Sequence, residues 1–207
     1  MEENTPAGTV IFQVRATDAD YGNNSIITYS LLPSEYATKF SINASSGNIK
    51  VIGILDRENK SEVTLRINAT DGTFSVTSEL FVIITDANDN GPIFKNCETP
   101  VLLQEPAPPQ TQLFHVSTTD ADSGSNAIIK YSIVKNEEGA CSYLYIDQDG
   151  NVYSNNSLSW ETTCNVTIRA SDGNKTIECV VDLRVAMTPG NTEGRTGELK
   201  TFLKPLN

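Results

Sequence analysis

Histidine occurs once in this chain of 207 residues, as His115. One imidazole all but excludes a histidine-based zinc site or a Ser–His–Asp triad. Cysteine is missing from the first 96 residues. The four present, Cys97, Cys141, Cys164 and Cys179, are an even number with no Cys-x-x-Cys spacing. No apolar run is long enough to cross a bilayer. No signal-peptide pattern is read where Met1 leads straight into Glu2-Glu3-Asn4-Thr5-Pro6, so a secreted product with this start would be expected to be a fragment of a longer one. Positive charge is scarce: 15 Lys and Arg stand against 26 Asp and Glu, a formal net charge of −11. That balance argues against nucleic acid or anionic lipid as a bulk-charge partner. Long helical periodicity is also lacking.

What remains is ordinary globular composition with short β-branched runs. Asn-x-Ser/Thr triplets stand at Asn23, Asn43, Asn59, Asn68, Asn155, Asn165 and Asn174, and together they favour a secretory route. Asn23 sits in an acidic turn that would hinder glycosylation, which leaves the other six as candidate acceptors. The halves repeat. Glu3 matches Glu105, Asp18-Ala19-Asp20 matches Asp120-Ala121-Asp122, and Ile27-Thr28-Tyr29-Ser30 matches Ile129-Lys130-Tyr131-Ser132. Ser46-Gly47-Asn48-Ile49 matches Asp149-Gly150-Asn151-Val152, and Ala69-Thr70-Asp71-Gly72 matches Ala170-Ser171-Asp172-Gly173. Two tandem copies of about one hundred residues follow.

Each copy reads as all-β. In the first, Thr9–Val14, Ile26–Leu32, Phe40–Ile42, Ile49–Val51, Val63–Ile67 and Leu80–Ile84 are strand-like, with turns at Ser46-Gly47 and Asp71-Gly72. About seven short strands per copy suggest a sandwich. Between the copies runs Asp86-Ala87-Asn88-Asp89-Asn90-Gly91-Pro92. Two carboxylates and two side-chain amides in five residues repel one another and bury nothing. Taken alone this is a solvated acidic loop. Matching oxygen clusters on both sides argue instead for a hard cation with many oxygen ligands, the habit of calcium.

The chain resembles two tandem cadherin repeats. The residues that carry the resemblance are Glu3-Asn4-x-Pro6-x-Gly8-Thr9, Asp18-x-Asp20, Leu55-Asp56-Arg57-Glu58, Ala69-x-Asp71-Gly72 and Asp86-x-Asn88-Asp89-Asn90-x-Pro92. They occur in family order over about 185 residues. The resemblance implies two seven-stranded Greek-key β-sandwiches joined by a calcium-binding linker. The expected divisions are 1–90, 91–188 and a tail over 189–207. By resemblance, Glu3, Asp56, Glu58 and Asp89 hold a first ion. A second bridges Glu3, Glu58, Asp86, Asp89 and Asp122 with the carbonyl of Ala87. A third sits among Asn88, Asp120, Asp122 and Asp172 with the carbonyls of Asn90 and Asn126. Eight carboxylates meet three dications and leave about two negative charges. Without metal, each close carboxylate pair repels by ~4 kcal/mol at 4 Å in an effective dielectric near 20. The junction is therefore expected to splay without calcium and stiffen with it.

The pattern departs at both ends. Only Met1 and Glu2 precede Glu3, whereas Pro92 to Gln104 precede Glu105, so the first strand of the first copy is expected to be missing and a sheet edge exposed. Asp18, Asp20 and Asp71 then form a half-site able to take one ion weakly. In the second copy, Leu158-Ser159-Trp160-Glu161 replaces Leu55-Asp56-Arg57-Glu58, and Val185–Asn191 replaces the acidic linker, so no ion is expected there. That suits a last repeat before a membrane or a different domain, against a calcium-free bend.

Four cysteines allow three connectivities. A simple hairpin about Asp172-Gly173 puts residue 183 opposite Cys164 and leaves Cys179 about four residues, or ~13 Å, out of register. Strand direction in the sandwich then pairs Cys97 with Cys179 and Cys141 with Cys164, although a bulge would restore the hairpin pair. Tyr29, Tyr131, Phe40 and Phe81 read as core or strand-face residues, and Trp160 as loop packing.

The expected function is a fragment of a calcium-dependent adhesion ectodomain. It would be extracellular, from a membrane-anchored, protocadherin-like parent, and would meet other cadherin-type ectodomains homophilically or heterophilically. The alternative is a spacer pair, with recognition in other repeats. A carboxylate hydrolase is disfavoured, because the acids belong to shared cation shells rather than a pocket. No counterpart of an exchanged N-terminal tryptophan stands at Glu2 or Glu3.

Overall fold

Alternation decides the strands. Along Glu62–Thr70 the side chains of Val63, Leu65, Ile67 and Ala69 are buried while Glu62, Thr64 and Arg66 face water. That is the period-two signature of a sheet with one wet face. The computed structural model describes residues 1–97, 100–134 and 139–186. The 189–207 tail lies outside the described residues, as does the side chain of Asn23. By contacts the chain divides into two units, Met1–Gly91 with Asp120–Ile128, and Pro92–Thr119 with the chain from Ile129 on. The Asp120–Ile128 loop, which by sequence opens the second copy, thus belongs with the first unit.

The first unit carries six strands among the described residues. They are β1 (Val10–Gln13), β2 (Thr28–Leu31), β3 (Phe40–Ile42), β4 (Asn48–Val51), β5 (Glu62–Thr70) and β6 (Ser75–Ile83). One sheet has the order β1-β4-β3 and the other β2-β5-β6, and every pairing is antiparallel. Phe40, Ile49, Val51, Leu55, Val63, Leu65, Ile67, Val82 and Ile84 fill the core. The start of the chain runs parallel to the end of β6: Glu2 bridges Thr85, and Glu3 N donates to Thr85 O at 2.9 Å.

The second unit holds β7 (Ile93–Phe94), β8 (Val101–Leu103), β9 (Gln112–His115), β10 (Thr118–Thr119), β11 (Lys130–Ile133), β12 (Leu144–Ile146), β13 (Asn151–Ser154), β14 (Thr163–Ser171) and β15 (Thr176–Val185). Its sheets run β11-β14-β15-β8 and β12-β13-β9, with a β10-β7 pair. The opening strand is split: β7 joins β10, while β8 runs parallel to β15. The next is split as well, into β9 and β10. Counted as one strand per split pair, these segments make seven. Among the described residues no α-helix occurs, only short 3-10 turns at Gly22–Ser25, Tyr36–Lys39 and Ala140–Tyr143.

The internal repeat is visible in detail. Gly47 and Gly150 hold φ of +69° and +87°, and a Cβ on either would meet a carbonyl oxygen, Val14 O at 2.3 Å and Val116 O at 2.1 Å. No other residue fits there. Beside each lies a tyrosine whose hydroxyl accepts a backbone N–H, Tyr29 from Ala16 at 2.9 Å and Tyr131 from Thr118 at 3.1 Å. Tyr29 and Phe40 are buried. Phe81 is exposed on β6, and Trp160 keeps 37 % of its surface.

Both disulfides lie in the second unit. Cys97 joins Cys179 and Cys141 joins Cys164, with Cα separations of 6.1 and 6.2 Å. The β14–β15 register sets Leu183 opposite Cys164 and Ile168 opposite Cys179, so the hairpin itself cannot bring the two cysteines together.

Candidate metal centre

The linker's carboxylates are aimed by backbone N–H groups. Glu3 is 2 % exposed. Its Oε2 accepts Arg57 N at 2.7 Å and its Oε1 accepts Ala87 N at 2.9 Å, so one side chain ties the Asp56–Glu58 loop to the linker. Asp56 Oδ1 accepts Asn59 N at 3.0 Å and closes that loop. Asp122, 6 % exposed, accepts Asn90 N at 3.1 Å and the Asn90 amide at 2.9 Å. Asp86 accepts Ser123 N at 3.0 Å and the Asn126 amide at 2.8 Å.

The result is two groups of oxygens. One ligand atom each from Glu3, Asp56 and Glu58 lie within 4.8 Å of one another, and so do those of Glu58, Asp86 and Asp122. Glu58 belongs to both. Asp89 stands outside the two groups: its oxygens take the amides of Asn4 and Asn90, and its N–H donates to Ala87 O at 2.7 Å. Asn126 engages through its side-chain amide rather than its carbonyl. Asn88 is half-buried in the linker. Asp120 Oδ1 receives Asp122 N at 3.0 Å, while its Oδ2 is buried and without a hydrogen-bond partner. In the second unit, Asp172 Oδ1 caps the hairpin turn, accepting Asn174 N and Lys175 N at 2.6 Å each, and its Oδ2 is likewise buried and orphaned. Buried carboxylate oxygens without donors are costly unless a cation meets them. With an all-oxygen donor set, these residues fit a hard divalent ion.

Charge shifts follow the geometry. Burial and the neighbouring Glu3 raise the Glu58 pKa above the ordinary carboxylate value, against the pull of Arg57. Burial works against the charge on Asp86, yet the Ser123 N–H, the Asn126 amide and Arg57 hold its pKa below the ordinary value. The half-site is assembled too: Asp18, Asp20 and Asp71 gather oxygens within 4.8 Å. Asp71 accepts Phe74 N and Thr73 N, both at 2.7 Å, which lower its pKa.

Two residues escape the sequence reading. Asn4 adopts φ +54° and donates to Asp89. Its place beside Glu3 in the opening motif was the only available signal. Arg57 pairs through its guanidinium with both Glu58 and Asp86 and donates to Ala121 O at 2.8 Å. Nothing in a motif flanked by two acids reveals where an arginine side chain turns.

A family model described as "Cadherin domain" matches residues 1–85 and 99–188. Protocadherin Fat 4 of Homo sapiens is 41 % identical over 135 residues, 64 % of this chain and 3 % of that protein. Cadherin-23 of Mus musculus is 35 % identical over 179 residues, 83 % of this chain and 5 % of that protein. The chain thus spans only a small part of the curated relatives it matches. The structure of mouse Cadherin-23 EC22-24 superposes with a TM-score of 0.75 at 26 % identity, covering 89 % of this chain and 62 % of that one. Human Protocadherin-24 EC1-2 gives 0.75 at 25 %, covering 91 % and 93 %. A pair of β-sandwich repeats with an acidic linker is what the fold and site define. The chain belongs to the cadherin family, and its similarities lie with protocadherin-type members. Among the described residues, no helix is long and apolar enough to cross a membrane.

Proposed function

We propose that this chain is part of a calcium-dependent adhesion ectodomain, and that shared ions at the inter-repeat junction stiffen it. The two repeats on this reading are 1–90 and 91–188. The observation that carries it is the pair of three-carboxylate groups that share Glu58. Glu3, Asp56, Glu58, Asp86, Asp89, Asp120, Asp122 and Asp172 would hold about three Ca²⁺, helped by Ala87, Asn88, Asn90 and Asn126. Bound calcium supplies positive charge that removes the mutual repulsion of these acids. The chain's own residues fix the ligands: Ala87 N and Arg57 N aim Glu3, and Asn90 aims Asp122. Because ligands come from two repeats and the linker, binding energy selects one arrangement among many. Asp18, Asp20 and Asp71 would take one ion weakly. No enzymatic step is assigned, since the acids are engaged as a cation shell.

Partners on this reading are other cadherin-type ectodomains, and the parent is anchored at the cell surface with this part outside. The small share of its relatives' length that the chain spans favours a second reading, a spacer pair whose long parent recognises partners elsewhere. Sedimentation velocity and bead aggregation, with calcium and with chelator, separate the two. Calcium-dependent association supports the adhesive reading. A strict monomer whose frictional ratio changes with calcium supports the spacer. No calcium response at all defeats both.

A further inference from the structure

Arg57 lies where a cation is wanted. Its guanidinium pairs with Asp86 through Nε and with Glu58 through a terminal nitrogen, and another N–H reaches Ala121 O at 2.8 Å. Arg57 and Asp86 are half-buried, keeping 17 % and 12 % of their side-chain surface, while Glu58 lies at the exposed edge of the group. Glu58 and Asp86 are two of the three members of the Glu58–Asp86–Asp122 group, so the arginine engages two carboxylates that a dication there would need. Charge and geometry are both suited to the role, because a planar guanidinium donates to several oxygens at once and stays protonated. Burial lowers its pKa, but Glu58 and Asp86 more than restore it.

Resting on the calcium reading above, we infer that the Arg57 side chain is a built-in counter-cation of the metal-free site. It neutralises Glu58 and Asp86 when no ion is bound and competes with the ion that would replace it. A dication among Glu58, Asp86 and Asp122 would sit a few ångströms from the guanidinium, and like charges at that range repel strongly away from bulk water. Calcium entry therefore moves Arg57 off its carboxylates. The arginine holds the carboxylates together and, by the same contacts, weakens apparent calcium affinity in proportion to how often it occupies the place. The Arg57 backbone N–H, which aims Glu3, is untouched by any side-chain replacement.

The test compares wild type, Arg57→Gln and Arg57→Lys. In chelator, Arg57→Gln should melt below wild type and regain part of the loss as salt screens the bared acids. Arg57→Lys, which keeps the charge, should lie between. In saturating calcium all three should melt alike. Calorimetric titration should show Arg57→Gln binding calcium at least about threefold more tightly than wild type. Unchanged melting of Arg57→Gln in chelator would overturn the inference. So would calcium affinity that is equal or weaker, or a deficit that persists in saturating calcium, since each marks a merely structural arginine. If wild type takes up no calcium, the calcium reading and the competition both fall. The melting arm in chelator still decides whether Arg57 is the counter-cation of its two acids.

Discussion

Single residues carry much of the repeat's identity. Gly47 and Gly150 each sit at positive φ with a carbonyl where a side chain would begin. Gly150→Ala should destabilise the second unit by about 1–3 kcal/mol from backbone strain alone, read by thermal unfolding with calcium held constant. An unaltered melting temperature would mean the turn is free to rearrange. Asp147 makes a second case. The Asn151 amide, at 2.9 Å, and the backbone N–H groups of Asn151 and Asp149 lower its pKa against burial. A lowered pKa stabilises the fold above the unfolded value, near 4, and the benefit is lost as pH falls through the folded value. Asp147→Asn should therefore melt below wild type at pH 7, and the gap should close as pH drops below about 4. These roles were only partly legible: the matched Gly-Asn pairs in the sequence mark turns, but the carbonyl that forbids a side chain becomes visible only in three dimensions.

At the scale of elements, strands were readable wherever one face is wet. Alternation in β5 and β14 and the Asp-Gly turns that follow them fix the two long hairpins. The splitting of β7 from β8 and of β9 from β10 was not readable, because β8 leaves one sheet to run parallel to β15 and nothing in Val101–Leu103 states its partner. The hairpin register was readable and disfavoured a Cys164–Cys179 bond, but a bulge would have restored that pair, and only the unbroken β14–β15 register closes the alternative. Loop length orders the two bonds that form. Sequence separations of 82 and 23 correspond to about 4–5 and 3 kcal/mol of restricted unfolded-chain entropy. Replacing both Cys97 and Cys179 by Ser should thus cost more in denaturant melts than replacing Cys141 and Cys164. The reverse order would show that native packing, not chain entropy, governs these bonds.

For the whole molecule, the acidic residues that matched family motifs were legible by position, but not their grouping, since Asp89, expected in two ion shells, stands outside both groups. Glu3, Asp56 and Glu58 meet, and Glu58 meets Asp86 and Asp122. The polar residues that hold them were less legible. Asn90 and Asn126 donate to Asp122 and Asp86, and Arg57 pairs with Glu58 and Asp86, and a string of residue types does not say which way such a side chain turns. Glu58 is the one side chain common to both groups, so it bears the central claim that ions are shared across the junction. The direct measurement is a calorimetric calcium titration of wild type beside Glu58→Gln. The account predicts about three ions for the wild type and loss of most of that binding in the variant. Full stoichiometry and affinity in Glu58→Gln, or no calcium uptake by the wild type, would contradict it.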